Sequence, residues 1–282
     1  MKAAIALVSL LATTSLYAQS RPAWEDYGFS KPVRIIRTEI ERTVNGVRTP
    51  RVPEQTITFD EKGNILNDTV HKSDGSVQRK HSWGYEYDAA GREIKTFYYD
   101  AKGVLTNTGV HLYDSRGRRI ETTQINPDGS INHIRSFSYD EKGNITRESH
   151  RNGNGSPRLL INRKYDANGR AIEEVFLDAA GALLHRNVLS YDGRGYKTRW
   201  ILFKKDGTVV ESARSSYTYD NSGNPLEAMR YWANGVLESK SAFTYEFDLR
   251  GNWVKRTWTR EVFKGEKTET EIEVALRQLT YF

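Results

Sequence analysis

The sequence predicts an all-β protein, a long antiparallel meander of about 18 strands built from hairpin repeats and curled into a barrel-like or coiled single-layer sheet. Three observations predict it. Aromatic and apolar residues alternate with polar ones, as in Trp83, Tyr85, Tyr87 and in Phe243, Tyr245, Phe247, which is the period of a strand with one face different from the other. An Asp-x-x-Gly follows each such segment, with the Asp at 60, 88, 114, 140, 166, 192, 220 and 248, spaced 26 or 28 residues apart. Between these turns lies a second set: Asn45-Gly46, Asp74-Gly75, Asp128-Gly129, Asp206-Gly207 and Asn234-Gly235, with Asp100 to Gly103, Asn152 to Gly155 and Asp178 to Gly181 in the same slot. Asp-Gly and Asn-Gly between alternating segments are strong hairpin signals.

Taken in order, residues 1–18 read as a secretory signal, with Lys2 as the charged start, Ala3 to Ala12 as an apolar run too short to span a bilayer, and a cleavage site after Ala18. Residues 19–32 form an N-terminal arm carrying Trp24, Tyr27 and Phe29, read as a strap over one end of the sheet. The antiparallel β-repeat domain then occupies residues 33–282, with the repeats proper from about Ile57 to Val254. Val33 to Arg42 opens the meander, and Pro50 and Pro53 mark the next strand as an edge or a bulged one. A last hairpin turns through Gly265 and ends in Glu271 to Phe282, where Ile272, Val274 and Leu276 are in phase.

An open, twisted sheet of this size would leave one continuous aromatic face bare. That is far more apolar surface than a monomer usually exposes. The expectation is therefore that the sheet rolls up with its tyrosines inside. The other solution leaves part of the face open as a stacking platform.

The copies Tyr87-Asp88-Ala89-Ala90-Gly91-Arg92, Tyr139-Asp140-Glu141-Lys142-Gly143-Asn144 and Tyr165-Asp166-Ala167-Asn168-Gly169-Arg170 resemble the YD repeats of the RHS-repeat family. The resemblance implies a hollow β-shell and a link to cell-surface carbohydrate, here in a short secreted member without a toxin domain. The Asp-Gly turns are also similar to variant MORN repeats of antitoxin-like, partner-binding proteins, although the export signal speaks against a cytosolic antitoxin.

The formal charge of +6 comes from 42 Lys and Arg against 36 Asp and Glu, scattered rather than clustered. In an exported chain this directs attention to anionic envelope glycans or lipid headgroups rather than nucleic acid. The absence of Cys excludes both disulfides and a lipid-anchored lipoprotein. No Gly-x-Ser-x-Gly elbow, nucleophilic Cys or phosphate-cradling glycine loop is present, so no enzymatic activity, cofactor or metal is expected. His81, His133 and His185 each precede their repeat Asp by seven residues, but four intervening strands would hold neighbours about 19 Å apart, too far to share a metal. The turn carboxylates, including Asp60-Glu61, lack the density of a calcium loop. An outer-membrane barrel is a further alternative, weakened by Arg79 and His81 on one strand face and Lys80 and Glu86 on the other, and by a mean hydropathy of −0.69. The leading expectation is an exported, periplasmic or extracellular, non-enzymatic module. It binds envelope or extracellular carbohydrate by stacking on Trp83, Tyr85, Trp200, Trp232, Trp253 and Trp258, or serves as an envelope scaffold.

Overall fold

The computed structural model describes residues 23, 27, 29 and 32–282, apart from the side chains of 210–213. The secretory signal and most of the arm therefore lie outside the described residues. Alternation and turns produce strands throughout. The first group is β1 (Val33–Val44), β2 (Val47–Arg48), β3 (Val52–Phe59), β4 (Ile65–His71), β5 (Val77–Tyr87) and β6 (Glu93–Tyr99). Next come β7 (Leu105–Tyr113), β8 (Arg119–Ile125), β9 (Ile131–Tyr139), β10 (Ile145–Asn152), β11 (Pro157–Tyr165), β12 (Ala171–Asp178) and β13 (Leu183–Tyr191). The chain ends with β14 (Lys197–Lys204), β15 (Val209–Tyr219), β16 (Pro225–Trp232), β17 (Leu237–Phe247), β18 (Trp253–Lys264) and β19 (Lys267–Tyr281).

Each long strand pairs antiparallel with its sequence neighbours, and β1 pairs with β19 from Val33–Tyr281 to Val44–Glu271. The two-residue β2 is a spur on β1. The remaining 18 strands close into a barrel. The Pro50 and Pro53 expectation resolves as the bulged alternative: closure leaves no edge, and the ladder slips between Thr38 and Glu39, opposite Pro53. Around the ring the registers accumulate a stagger of about 24 residues, which corresponds to a strand tilt of roughly 45° and a diameter of about 35 Å for a circular section. Side chains line such an interior rather than fill it.

One turn geometry serves both ends of the barrel. At Asp88 the backbone N–H donates to the Arg92 carbonyl, Gly91 donates back to Asp88, and the Asp88 carboxylate accepts the N–H groups of Ala90 and Arg92. Gly91 sits at φ 78°, where a side chain would be strained. The second set of turns uses the same frame, for example Lys72 to Ser76, with Asp74 capping the Ser76 N–H from inside the turn. Asn45-Gly46 alone among the Asn-Gly and Asp-Gly turns has both residues at positive φ, the two-residue form.

The repeat tyrosine joins successive hairpins. The hydroxyls of Tyr113, Tyr139, Tyr165 and Tyr191 donate to the carbonyls of Glu93, Arg119, Ile145 and Ala171, each 20 residues back, at 2.5 to 2.9 Å. At Asp88 and Asp220, two of the three turns that follow a spacing of 28, the tyrosine two positions earlier takes over this bond, from Tyr85 to Ile65 and from Tyr217 to Lys197. The freed Tyr87 and Tyr219 reach the preceding turn carboxylates, Asp60 and Asp192. Turn arginines complete the rim: Arg92, Arg118 and Arg170 pair with their own turn Asp and lie over the rings of Tyr113, Tyr139 and Tyr191.

A compact apolar core sits at the seam. Phe29, Val33, Ile36, Ile57 and Phe59 are buried together, with Ala23, Tyr27, Ile65, Leu279 and Tyr281 packed around them. These described arm residues cover the β19–β1–β3 wall at the end where β1 begins and β19 ends. Phe29→Ala is expected to cost about 3 kcal/mol. Tyr139→Phe, which removes the single hydroxyl bond to the Arg119 carbonyl, is expected to cost about 1 kcal/mol. Urea unfolding followed by circular dichroism measures both.

Candidate functional site

The inner face is identified by burial. In the strand interiors, Ile36, Ile57, Thr96, His111, Thr122, Phe137, Glu148, Ile161, Leu189 and Ala275 are all buried. The registers place every one of them on the face that carries the repeat tyrosines. In a closed ring this crowded face is the concave one. Its content is unusual for a core, because many of its buried groups are polar or charged, and they form three clusters.

The first spans β6 to β8. His111 is enclosed, with Nε2 3.0 Å from Glu93 and 2.9 Å from the Thr96 hydroxyl, and Nδ1 3.0 Å from the Thr122 hydroxyl. Burial pushes the His111 imidazole below its ordinary pKa. Burial alone would raise the Glu93 carboxyl, but hydrogen bonds from His111 and Thr96 and the charge of Arg119 bring it below its usual value. The Thr–His–Glu order resembles an activated nucleophile, yet Thr122 is 1% exposed, so no substrate reaches it.

The second cluster spans β10 to β13. Glu148 accepts from His150 at 2.9 Å and from Arg163 at 3.0 Å; Arg163 also reaches Glu174, which accepts from Asn187. The third closes the ring across β18, β19, β1 and β3. Glu273 accepts from Arg256 at 3.2 Å and Arg42 at 2.9 Å, and Arg42 continues to Glu54 at 3.4 Å. Burial raises the Glu54 carboxyl, with Glu273 adding to it. Beside this chain Arg277 lies 3.5 Å over the Trp253 ring, faces Phe29 and donates to the Tyr27 carbonyl. Burial, with the Arg256 charge nearby, lowers the Arg277 guanidinium to about 9.

The six aromatic candidates fall in separate sectors. Trp83 and Tyr85 are on β5, Trp200 on β14, Trp232 at the exposed end of β16, and Trp253 and Trp258 on β18. Trp83 and Tyr85 lie two residues apart on one face of β5, Trp200 and Trp232 both pair with Ala213 of the β15 strand between them, and Trp253 and Trp258 lie five residues apart along β18. Tyr85 is further engaged by its bond to Ile65. The phased histidines occupy β5, β9 and β13, four strands apart, on the inner face. His81 packs beside Trp83 and His185 stacks on Phe176 at 4.1 Å. Among the described residues no group of three or more His, Asp or Glu is placed to hold a metal.

Sequence reasoning missed the charged clusters, although one signal was present. His111 and Arg163 each lie three residues before their repeat Asp, in phase with the inward tyrosine. Parity alone places them inside. Acid is expected to weaken the barrel: a buried neutral His111 binds its proton only after unfolding, so stability falls as pH drops through the unfolded value near 6.5. Glu148 and Glu93, held below their usual range, add losses at lower pH. Thermal melts between pH 7.5 and 5 should show this slope, and His111→Gln should flatten its upper part. Glu273→Gln, which strips Arg42 and Arg256 of their shared carboxylate, should cost about 3 kcal/mol at neutral pH.

No family model matches the chain, and no curated protein matches it in sequence. The resemblance to the RHS and YD-repeat family is corrected accordingly: the Tyr-Asp-x-x-Gly copies are a hairpin-closing device that any meander can repeat, not a mark of descent. Solved structures similar to the chain include a porin-like protein from Bacteroides uniformis (9% identity, 89% of this chain and 98% of that one, TM-score 0.45). A porin-like protein from Bacteroides vulgatus aligns at 12% identity over 86% of this chain and 97% of its own, TM-score 0.28. An outer membrane lipoprotein-sorting protein domain from Vibrio parahaemolyticus aligns at 10% identity over 92% and 90%, TM-score 0.26.

Proposed function

We propose that the chain is an exported, non-enzymatic β-barrel of the cell envelope whose working surface is its polar lumen. The observation that carries this reading is the one-sidedness of burial: polar and charged groups, Glu148, His111, Gln124 and Glu273 among them, are drawn into the concave wall. The cations built into that wall at mid-height are arginines, such as Arg42, Arg163 and Arg256, while Lys80, Lys95, Lys164, Lys240 and Lys255 fall on the outer face. The planar forks of these arginines hold the lumenal carboxylates Glu273, Glu148 and Glu174, so the lumen offers a paired, polar wall to an extended polar ligand. The leader-like residues 1–18 support export. Sugar stacking is the narrower version of this reading, with Trp253 and Trp258 of β18 among its candidates.

A membrane-spanning barrel is the second reading, favoured by closure at 18 strands, within the range of channel-forming barrels. The outer wall weighs against it. Glu121, Glu173 and Arg186 face out within their strands, paired with Arg151 and Lys164, which face out near the ends of β10 and β11. Each charge at the midplane of a lipid face would cost about 2–4 kcal/mol. Strands β6 to β14 run 7 to 9 residues, whereas a membrane strand needs about 9–11.

Expression with the leader, followed by cell fractionation and bilayer recording, tests the choice. The lumenal reading expects release with periplasmic contents, monodispersity without detergent, and no conductance. Detergent-dependent solubility with stepwise conductance would establish the spanning barrel instead. A glycan array tests the narrower version, with binding lost in Trp253→Ala and Trp258→Ala if sugars stack there.

A further inference from the structure

Two register slips flank the closing ladder of the barrel. One lies between Thr38 and Glu39, opposite Gln55 and Pro53, where β1 meets β3. The other lies between Glu246 and Phe247, opposite Lys255 and Trp253, where β17 meets β18. Each slip inserts an extra residue, here Glu54 and Val254, which bends the strand and re-aims its side chains. Between the two slips the outer wall is hollowed into a cavity of about 510 Å³. Its floor is the β1–β19 ladder, with Glu39 beside Leu276 and Arg37 beside Gln278, and β3 sets Thr56 opposite Arg37. These five side chains face outward, because the alternate positions Ile36, Ile57 and Ala275 are the buried lumenal ones.

The charge of the lining is unequal. Arg37, Arg51, Lys255 and Arg277 stand against Glu39 and Glu246. Lys255 and Glu246 neutralise one another at 2.6 Å, and the Arg277 guanidinium turns to the lumenal side over Trp253. That leaves Arg37 and Arg51 against Glu39. Glu41, at the margin, attracts Arg51 but is already held by Arg48 at 2.7 Å. His71, also in the lining, has its Nδ1 3.2 Å from the Gly75 carbonyl. Among the described residues Arg37, Thr56 and Gln278 make no side-chain hydrogen bond or ion pair, although they form one row across three strands. A guanidinium flanked by a hydroxyl and an amide is a donor set for a single phosphate or carboxylate group. Leu276, Val254 and Pro53 add apolar surface beside it. The volume is that of a small-molecule site, more than a lone ion needs.

We propose that this outer-wall cavity binds a small organic anion, its phosphate or carboxylate group held by Arg37, Thr56 and Gln278 and its apolar body lying on Leu276 and Val254. Arg51 adds attraction from the margin, and Glu39 opposes it. The site is outside the barrel, so it stands or fails apart from whatever the lumen holds.

The test is a proton NMR titration of phenyl phosphate and of benzoate with the purified protein, with inorganic phosphate as competitor. At least one of the two organic anions is expected to bind saturably, and which of them binds more tightly identifies the head group. Inorganic phosphate, which lacks an apolar body, should displace the bound anion only at about tenfold higher concentration. Arg37→Gln should weaken binding about tenfold, and Thr56→Val with Gln278→Ala about threefold. Glu39→Gln should tighten it about threefold, because the opposing charge is removed. Arg147→Gln, at an exposed arginine on the outer face of β10, is the control and should leave the affinity unchanged. Every variant should keep the parent melting curve. Three outcomes overturn the proposal: no saturable binding of either organic anion, equal loss from Arg147→Gln and Arg37→Gln, or no gain from Glu39→Gln.

Discussion

The structure depends on one pairing, that of the first long strand with the last. A meander has two terminal strands, each offering a row of unpaired N–H and C=O groups to any passing chain. Here β1 and β19 satisfy one another over their whole shared length, from Val33–Tyr281 to Val44–Glu271. The compact apolar core lies at the same place, with Phe29, Val33, Ile36, Ile57 and Phe59 buried against the seam. Closure defines an inside, and the inside decides which side chains lose water. Break the seam and the concave wall becomes one face of a sheet, with its ion pairs in solvent.

Away from the seam the ring is held by short-range devices rather than by a packed centre. Each repeat tyrosine ties its hairpin to the one before, through a carbonyl 20 residues back or through the preceding turn carboxylate. Inside, the chains Glu148–Arg163–Glu174 and Arg256–Glu273–Arg42–Glu54 bridge neighbouring strands where an ordinary core would use aliphatic contacts. Ion pairs of this kind contribute little net stability, because desolvation offsets attraction. What they do is penalise a slipped register, since a shift of one residue would turn every partner to the other face.

Fold and turns were legible because their signals are local. Alternation around Tyr85 and Tyr87, and the Asp88 to Gly91 turn, can be read within ten residues of chain. The approximate strand number and the inward tyrosines followed from that. Whether the strip would close was harder to read, because closure depends on a register summed over every hairpin. The charged clusters were less legible again. Glu273 meets Arg42 across 231 residues of sequence, and no spacing rule connects them. The family likeness misled for the opposite reason: a motif dictated by hairpin geometry recurs wherever that geometry does. The stacking candidates were chosen for ring chemistry alone, and the registers distribute Trp83, Trp200 and Trp258 around the circumference.

An even number of antiparallel strands brings the start of β1 and the end of β19 to the same mouth of the barrel, so the closing ladder joins residues as distant in sequence as Val33 and Tyr281. Contacts of such separation form slowly. Until β19 is in place, β1 has only one neighbour, and its other flank waits unprotected. Every hairpin can zip as it appears, but the ring cannot be sealed before the last strand is available. The protein therefore passes through a stage as a growing ribbon that is sticky at both sides, and its escape from that stage is timed by its last fifteen-residue strand.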